Sequence, residues 1–176
     1  MYRRRAYSRN YSRVKRAKYS NETHAMAVSL ETSSDQTALY RQGKLALMLV
    51  QASDNQGMRK AKNFDLSLQS VNMQQPVHFA LVYVPEGQKP SGMTLPALNE
   101  GSLSSEPASI YEPNQNVIMS GVLPPTTGNP IHFRTRLARN LNSGDAIYLC
   151  LEPAFAPAST DTFGDIDAQL NYAICY

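Results

Sequence analysis

The segment KAKNFDLSLQSVN at residues 60–72 contains a clear alternation of apolar and polar side chains. Successive side chains of a β-strand point to opposite faces, so Phe64, Leu66 and Leu68 share one face. The pattern therefore predicts a strand that turns this face toward a hydrophobic core.

Seven further strands are predicted from short apolar runs separated by turn residues. They lie near residues 23–31, 43–51, 77–84, 116–122, 130–138, 145–152 and 168–176. The strand near 168–176 alternates in the same way, with Leu170, Tyr172 and Ile174 inward. The strands near 43–51 and 77–84 are apolar on both sides, which is typical of strands whose two faces are both covered.

Eight antiparallel strands predict an all-β domain over residues 21–176, with an eight-stranded antiparallel jelly-roll sandwich as the leading architecture. An immunoglobulin-like sandwich is the alternative. The turn sequence NSGD at 142–145 predicts a hairpin, so the strands on either side of it should be antiparallel neighbours. Residues 85–115 form a long connection, which we expect to build contacts between copies of the chain.

Residues 1–20 differ in composition from the rest of the chain. They contain eight Lys and Arg residues and no Asp or Glu, whereas residues 21–176 have nine Lys and Arg against 14 Asp and Glu, a net charge of −5. Four tyrosines are interleaved with the basic residues of this segment. Because few of its side chains could form a core, we expect a basic N-terminal arm that is disordered on its own.

The arm has the composition of a nucleic-acid-binding segment. Basic groups pair with phosphates and release counterions, while tyrosine rings offer stacking faces to unpaired bases. The residues predicted to bind are Arg3, Arg4, Arg5, Tyr7, Arg9, Tyr11, Arg13, Lys15, Arg16 and Lys18. KRAK at 15–18 also matches a short basic nuclear-import signal. A solvated tail and a membrane-surface patch are the other interpretations, and the lack of an apolar face weakens the second.

A second basic group is predicted on the strand near 130–138. Alternation places Ile131, Phe133, Thr135 and Leu137 toward the core, and it places His132, Arg134 and Arg136 on the opposite face, with Arg139 just past the strand end. We expect Arg134 and Arg136 to extend the phosphate-binding surface of the arm. The alternative is that these arginines pair with acids of a neighbouring subunit or lie in solvent.

Several functional classes find no support in the sequence. The longest apolar run, LALMLV at 45–50, is far shorter than the ~20 residues that span a bilayer, and no apolar segment follows the basic start as in a secretory signal. No dinucleotide fingerprint, phosphate loop or catalytic constellation is present. His24, His78 and His132 fall on different predicted strands without metal-ligand spacing. We therefore expect no enzymatic activity, cofactor or metal.

Two other groups of residues are interpreted as structural. Cys150 and Cys175 are expected to be unpaired, since a jelly roll places their strands in opposite sheets. Asp161, Asp165 and Asp167 crowd a predicted loop before the last strand, where several oxygens could bind a hard cation. Their spacing matches no standard cation-binding loop, so solvated acids are the favoured interpretation.

Three segments are the most specific in the chain: VHFALVYVPEGQKP at 77–90, IYEPNQNVIMSG at 110–121 and FRTRLARNLNSGDAIYLCLEP at 133–153, in which RNLNSGD is the most specific block. They resemble the capsid proteins of small circular Rep-encoding single-stranded DNA viruses, the circovirus-like group. The resemblance implies a single jelly roll and an icosahedral shell of about sixty copies. It also implies a circular single-stranded DNA genome inside the shell, and an arm that faces inward and directs nuclear import.

The sequence thus predicts a self-assembling coat protein of a virion that is present in the host nucleus during assembly. The expected partners are other copies of the chain, the single-stranded DNA genome, the nuclear import machinery and an unidentified host receptor, without membrane insertion. The alternatives are a capsid protein of a small RNA or satellite virus and a non-viral module that binds single-stranded nucleic acid.

Overall fold

The computed structural model describes residues 18–31, 45–54, 57–73, 75–88, 116–153 and 162–175. All regular structure in these ranges is β-strand. The strands are β1 (Ser20–Glu31), β2 (Leu45–Val50), β3 (Arg59–Val71), β4 (Val77–Val84), β5 (Val117–Leu123), β6 (Ile131–Leu141), β7 (Ala146–Pro153) and β8 (Thr162–Cys175). The prediction of an all-β chain with eight strands is confirmed. The described part contains no helix that is long and apolar enough to cross a membrane.

The strands form two antiparallel sheets of four strands each. The first sheet has the order β1-β8-β3-β6 and the second has the order β2-β7-β4-β5. The first strand pairs with the last, the second with the seventh, the third with the sixth and the fourth with the fifth. Additional pairing of β3 with β8 and of β4 with β7 joins these pairs into sheets.

The hydrophobic core lies between the two sheets and receives side chains from all eight strands. The residues predicted to face inward on β3 and β8 are all buried: Phe64, Leu66, Leu68, Leu170, Tyr172 and Ile174. Burial of each large apolar side chain stabilises the fold by roughly 1.5–3 kcal/mol before the entropy of ordering is subtracted. The alternation in the sequence thus identifies the core correctly on these two strands.

The two strands predicted to be apolar on both sides occupy different positions. β4 is central in the second sheet, and Ala80 and Val82 on its outer side are buried beside Cys150. β2 is an edge strand of the same sheet, and Met48 on it is 40% exposed. The prediction of cover on both faces is confirmed for β4 and is wrong at Met48.

β3 contains a β-bulge at Asn63, which has a positive φ of 56°. Asparagine adopts this left-handed conformation more readily than most residues. The pairing register of β3 shifts at this point, between Lys62 and Phe64 on the side of β6. Ala61 and Phe64 therefore both face the core, and Lys60 and Lys62 lie on the outer face of the sheet.

The structure corrects two predictions on β6. The strand continues to Leu141, so Arg139 lies within it and not past its end. Ile131 and Phe133 pack against the core as predicted, but Leu137 is 47% exposed. Leu137 lies opposite the bulge, where two residues of β6 face the single residue Asn63 of β3, so it has no directly paired residue on β3.

β8 begins at Thr162 rather than near residue 168. Asp165 and Asp167 alternate with the buried Ile166, and their backbones pair with both β1 and β3. The prediction that these two carboxylates lie in a loop is therefore wrong. Acidic residues on the outer face of a sheet keep their solvation, so they are compatible with a strand that is buried only on its other side.

The turn at residues 142–145 connects the two sheets and does not form a hairpin. β6 pairs with β3 and β7 pairs with β2 and β4, so the prediction that β6 and β7 are antiparallel neighbours is wrong. Gly144 has a φ of 79°, and its amide donates a hydrogen bond of 3.2 Å to the carbonyl of Ser53, which follows β2. This bond ties the turn to a different loop instead of to a two-stranded ladder.

The buried carboxylate of Asp145 organises this end of the molecule. It accepts hydrogen bonds from the Tyr83 hydroxyl at 2.6 Å and from the amides of Asn142 and Glu86 at 2.7 and 3.1 Å. Burial favours the neutral acid, but these bonds and the nearby Arg59 guanidinium outweigh it and lower the pKa of Asp145. Burial, followed by the bond to Asp145, raises the pKa of Tyr83 to about 12.

Gly121 on β5 lies against an aromatic pair that joins the sheets. The rings of Phe79 and Phe133 have centroids 4.4 Å apart, and a Cβ atom on Gly121 would lie 2.8 Å from Phe79 Cε1. Gly121→Ala should therefore lower the free energy of unfolding by about 1–3 kcal/mol in urea denaturation. Gly128→Ala is the control, because its added Cβ would meet nothing within 4 Å. Equal losses in both variants would contradict this packing.

Stability should also depend on pH through the Tyr83–Asp145 pair. The raised pKa of Tyr83 means that the folded state favours the neutral phenol. The contribution of this group to the free energy of unfolding is therefore complete below pH 10, and it is lost as the pH rises toward about 12. The lowered Asp145 pKa acts in the opposite direction, since its contribution is lost as pH falls through the folded-state value. In thermal melts at a series of alkaline pH values, the melting temperature of Tyr83→Phe should fall less steeply with rising pH than that of the unmodified protein. The same fall in both proteins would show that Tyr83 ionisation is not linked to folding.

Candidate nucleic-acid interface

The outer face of the first sheet contains a cluster of basic side chains from its two adjacent strands β3 and β6. Alternation on β6 exposes the residues that the sequence predicts, and the bulge adds two lysines from β3. We call this cluster the basic patch, and it consists of Lys60, Lys62, His132, Arg134 and Arg136. The prediction that His132, Arg134 and Arg136 share an outward face is confirmed.

One carboxylate lies inside the basic patch. Asp65 of β3 accepts a hydrogen bond from Arg134 Nε at 2.9 Å on one oxygen, and its other oxygen lies 3.2 Å from His132 Nδ1. The Arg134 side chain is 70% exposed, so solvent weakens this ion pair and its groups remain accessible. Asp65 therefore offsets part of the positive charge of the patch. Arg134 thus pairs with an acid of its own chain.

The start of β1 lies beside the basic patch. Ser20, the first residue of β1, pairs with Ile174 at the end of β8. The Nζ atom of Lys62 lies 3.6 Å from the ring centroid of Tyr19, which is a cation–π contact. Lys18 is exposed just before it. The chain thus enters the first sheet at the end that carries the two lysines.

The remaining arm residues predicted to bind nucleic acid lie outside the described residues. They are Arg3, Arg4, Arg5, Tyr7, Arg9, Tyr11, Arg13, Lys15 and Arg16. The connection that follows Gln88 and ends before Asn116 also lies outside them. The predictions for these segments stay predictions.

The outer face changes in charge from one end to the other. Asp165 and Asp167 lie at the end opposite the lysines, and Asp165 accepts a hydrogen bond from Ser29 of β1 at 2.5 Å. Amide side chains of β8 lie between the two ends, where Gln169 donates to Asn171 at 3.3 Å. The face therefore carries two lysines beside the start of β1 and two carboxylates at the far end, and the Asp65–Arg134 pair lies between them, in register with Asn171.

Lys60, Lys62 and Asp65 are site residues that the sequence analysis missed. Strict alternation through 60–72 would place both lysines on the same side as Phe64, toward the core. The signal that could reveal their true position is Asn63, because asparagine tolerates the positive φ of a bulge.

A separate polar cluster links β1 and β8 away from the basic patch. The Tyr172 hydroxyl donates to Glu22 Oε2 at 2.8 Å and lies 3.1 Å from His24 Nε2. The rings of His24 and Tyr172 stack with centroids 5.8 Å apart. These contacts hold the edge strand β1 to its neighbour.

The cysteines and acids show no arrangement for chemistry among the residues that the structure describes. Cys150 lies on β7 and Cys175 on β8, in opposite sheets as predicted, and both are free thiols. Burial raises the pKa of the Cys150 thiol to about 12, so it is unreactive at neutral pH. Within the described ranges, no three His, Cys, Asp or Glu side chains are placed to hold a metal ion, and Asp161 lies outside those ranges.

Comparison with known proteins does not assign the chain to a group. No protein-family model matches it, and no curated protein matches it.

The contact between Asp65 and Arg134 leads to a test of the basic patch. Asp65→Asn removes the carboxylate charge and leaves Arg134 available to a phosphate. Affinity for a single-stranded oligonucleotide should rise, and the slope of log affinity against log salt should become steeper by about 0.7 for one added phosphate contact. Fluorescence anisotropy titrations at several salt concentrations measure both quantities.

Two variants control this experiment. Asp165→Asn makes the same charge change on the same face but at the acidic end, so its slope should stay unchanged. Arg134→Gln combined with Asp65→Asn should abolish the gain. An equal effect of Asp65→Asn and Asp165→Asn would indicate a general change in net charge and not a local phosphate contact.

Proposed function

We propose that this chain is a viral coat protein that assembles into a closed shell and packages single-stranded DNA through its basic N-terminal arm. The observation that carries the proposal is the contact of Tyr19, the residue before β1, with Lys62 of the basic patch. A basic segment that precedes this point and a basic surface that begins at it together form a continuous path for a phosphate backbone.

The strand order supports a jelly roll as the finer architecture. Pairing of the first strand with the last, and so on inward to β4 with β5, is the order of a long antiparallel ribbon rolled into two sheets. This fold gives a shell subunit two broad faces, and the proposal turns the face with the basic patch toward the enclosed genome. The resemblance of residues 77–90, 110–121 and 133–153 to circovirus-like capsid proteins points to the same architecture.

The assembly follows from the symmetry that identical subunits adopt. Identical copies bury their surfaces by repeating the same contacts around closed symmetry axes, and about sixty copies make a small icosahedral shell. Charge is sparse in residues 21–176, which suits a surface that is largely buried between subunits. Under this proposal the protein resides in the virion and passes through the host nucleus, where KRAK at 15–18 is the import signal.

Expression of the full chain beside a variant that starts at Lys18 tests this function. The variant keeps β1 and the Tyr19–Lys62 contact, so it should fold and form particles in negative-stain images. The full chain should copurify with nucleic acid that DNase degrades and RNase does not, and the variant should lose most of it. If all eight basic arm residues engaged phosphates, the log–log salt slope of binding would reach about −5.6 per subunit as an upper bound.

A matched variant separates arm charge from arm length. Full-length chain with its arm Lys and Arg residues changed to Gln should assemble like the shortened variant and package as little. A full chain that stays monomeric across pH, salt and concentration would overturn the coat-protein proposal. RNase-sensitive contents would instead support an RNA virus or satellite virus, and equal packaging by the shortened variant would remove the arm from the proposal.

A further inference from the structure

The outer face of the first sheet contains a hollow beside the basic patch. Its volume is about 400 Å³, within the range of sites that hold small organic groups. The side chains that shape it are small or polar and come from β1, β3 and β8: Ala25, Ala27, Ser67, Gln69, Asp167 and Gln169. The alanines leave the space open, and the amides and the carboxylate supply hydrogen-bonding groups at its border.

The β3 edge of the hollow lies one step along the strands from Arg134 of the neighbouring strand β6, and its far edge lies on β1, two strands further across the sheet. Ser67 pairs with His132, whereas Asp65, two residues earlier on β3, pairs with Arg134. Two residues of an extended strand span about 6.6 Å, which is comparable with the length of one nucleotide. A strand whose phosphate lies on Arg134 can therefore place a neighbouring base in the hollow.

We propose that this hollow holds one unpaired nucleobase of the single strand whose phosphates contact the basic patch. The inference rests on the proposed function and names the part of the ligand that the face recognises. Asp167 repels phosphate, so the backbone is kept on the patch and the uncharged base is directed into the hollow. The Asp167 carboxylate accepts hydrogen bonds from an amino group such as cytosine N4, and the glutamine amides both donate and accept.

The same geometry disfavours a duplex. A paired base has its amino and imino groups engaged with its partner, so it enters the hollow only at the cost of unpairing and unstacking, which an unpaired base does not pay. The occupant is therefore a single strand, and the preferred base is one that offers an amino group. This recognition adds to the arm, whose tyrosines can stack on bases but whose basic groups contact phosphate without regard to the base.

The test uses the full chain and two labelled probes of equal length and charge, a deoxycytidine oligomer and an abasic strand. Ala27→Leu fills the hollow from an exposed position, so the core is not disturbed. Ser29→Leu is the matched control, because it lies on the same strand and face but outside the hollow. Gln169→Met removes an amide at constant size and gives a second variant that does not depend on steric filling.

The expected result is selective. Ala27→Leu should weaken binding of the deoxycytidine oligomer by about fivefold or more and leave the abasic strand unchanged. Gln169→Met should weaken the same probe to a lesser extent, and Ser29→Leu should bind both probes as the unmodified chain does. This pattern identifies a base contact, since both probes carry the same phosphates.

Three results would overturn the proposal. If Ala27→Leu weakens both probes equally, the hollow borders a phosphate path and holds no base. If Ala27→Leu leaves the preference for the intact oligomer unchanged, the base contact lies elsewhere, and the arm and the basic patch keep their proposed role. If the unmodified chain binds neither probe, the proposed function fails and the hollow fails with it.

Discussion

The bulge at Asn63 is the constraint on which both the core and the basic patch depend. Without it, Lys60 and Lys62 would share a face with Phe64, and two ammonium groups would have to lose their hydration in the core. The extra backbone residue reverses the alternation, so residues of opposite parity point to the core before and after the bulge. It allows one strand to contribute cations to the outer face at its start and apolar groups to the core after the bulge.

The bulge changes the pairing register with both neighbouring strands, because β3 is a central strand of its sheet. On the side of β8 the register shifts between Lys62 and Asp65, and on the side of β6 it shifts between Lys62 and Phe64. The bulge leaves Leu137 without a paired residue on β3, and it places Lys62 on the outer face, close to Tyr19. A local backbone conformation thus fixes where the basic surface lies relative to the start of β1.

Local patterns in the sequence identify the strands and most of the core. The features that these patterns predict wrongly depend on the pairing between strands. Period-two alternation suffices for Leu66 and Leu170, since it depends only on which side of a strand is buried. It fails at Lys62, where one left-handed residue reverses it. The turn at 142–145 allows either a hairpin or a change of sheet, and the pairing of β6 with β3 and of β7 with β2 and β4, strands far away in the chain, decides between them.

The charge on the outer face explains why a single carboxylate matters within the patch. Arg134 is held on a strand, where Asp65 orients its guanidinium. An oriented guanidinium loses less conformational entropy when it binds, but it must give up its pairing with Asp65 to gain a phosphate. Under the proposed function, the arm therefore supplies most of the affinity. The fixed face sets where the strand lies, because its cations and its acids are at opposite ends of the sheet.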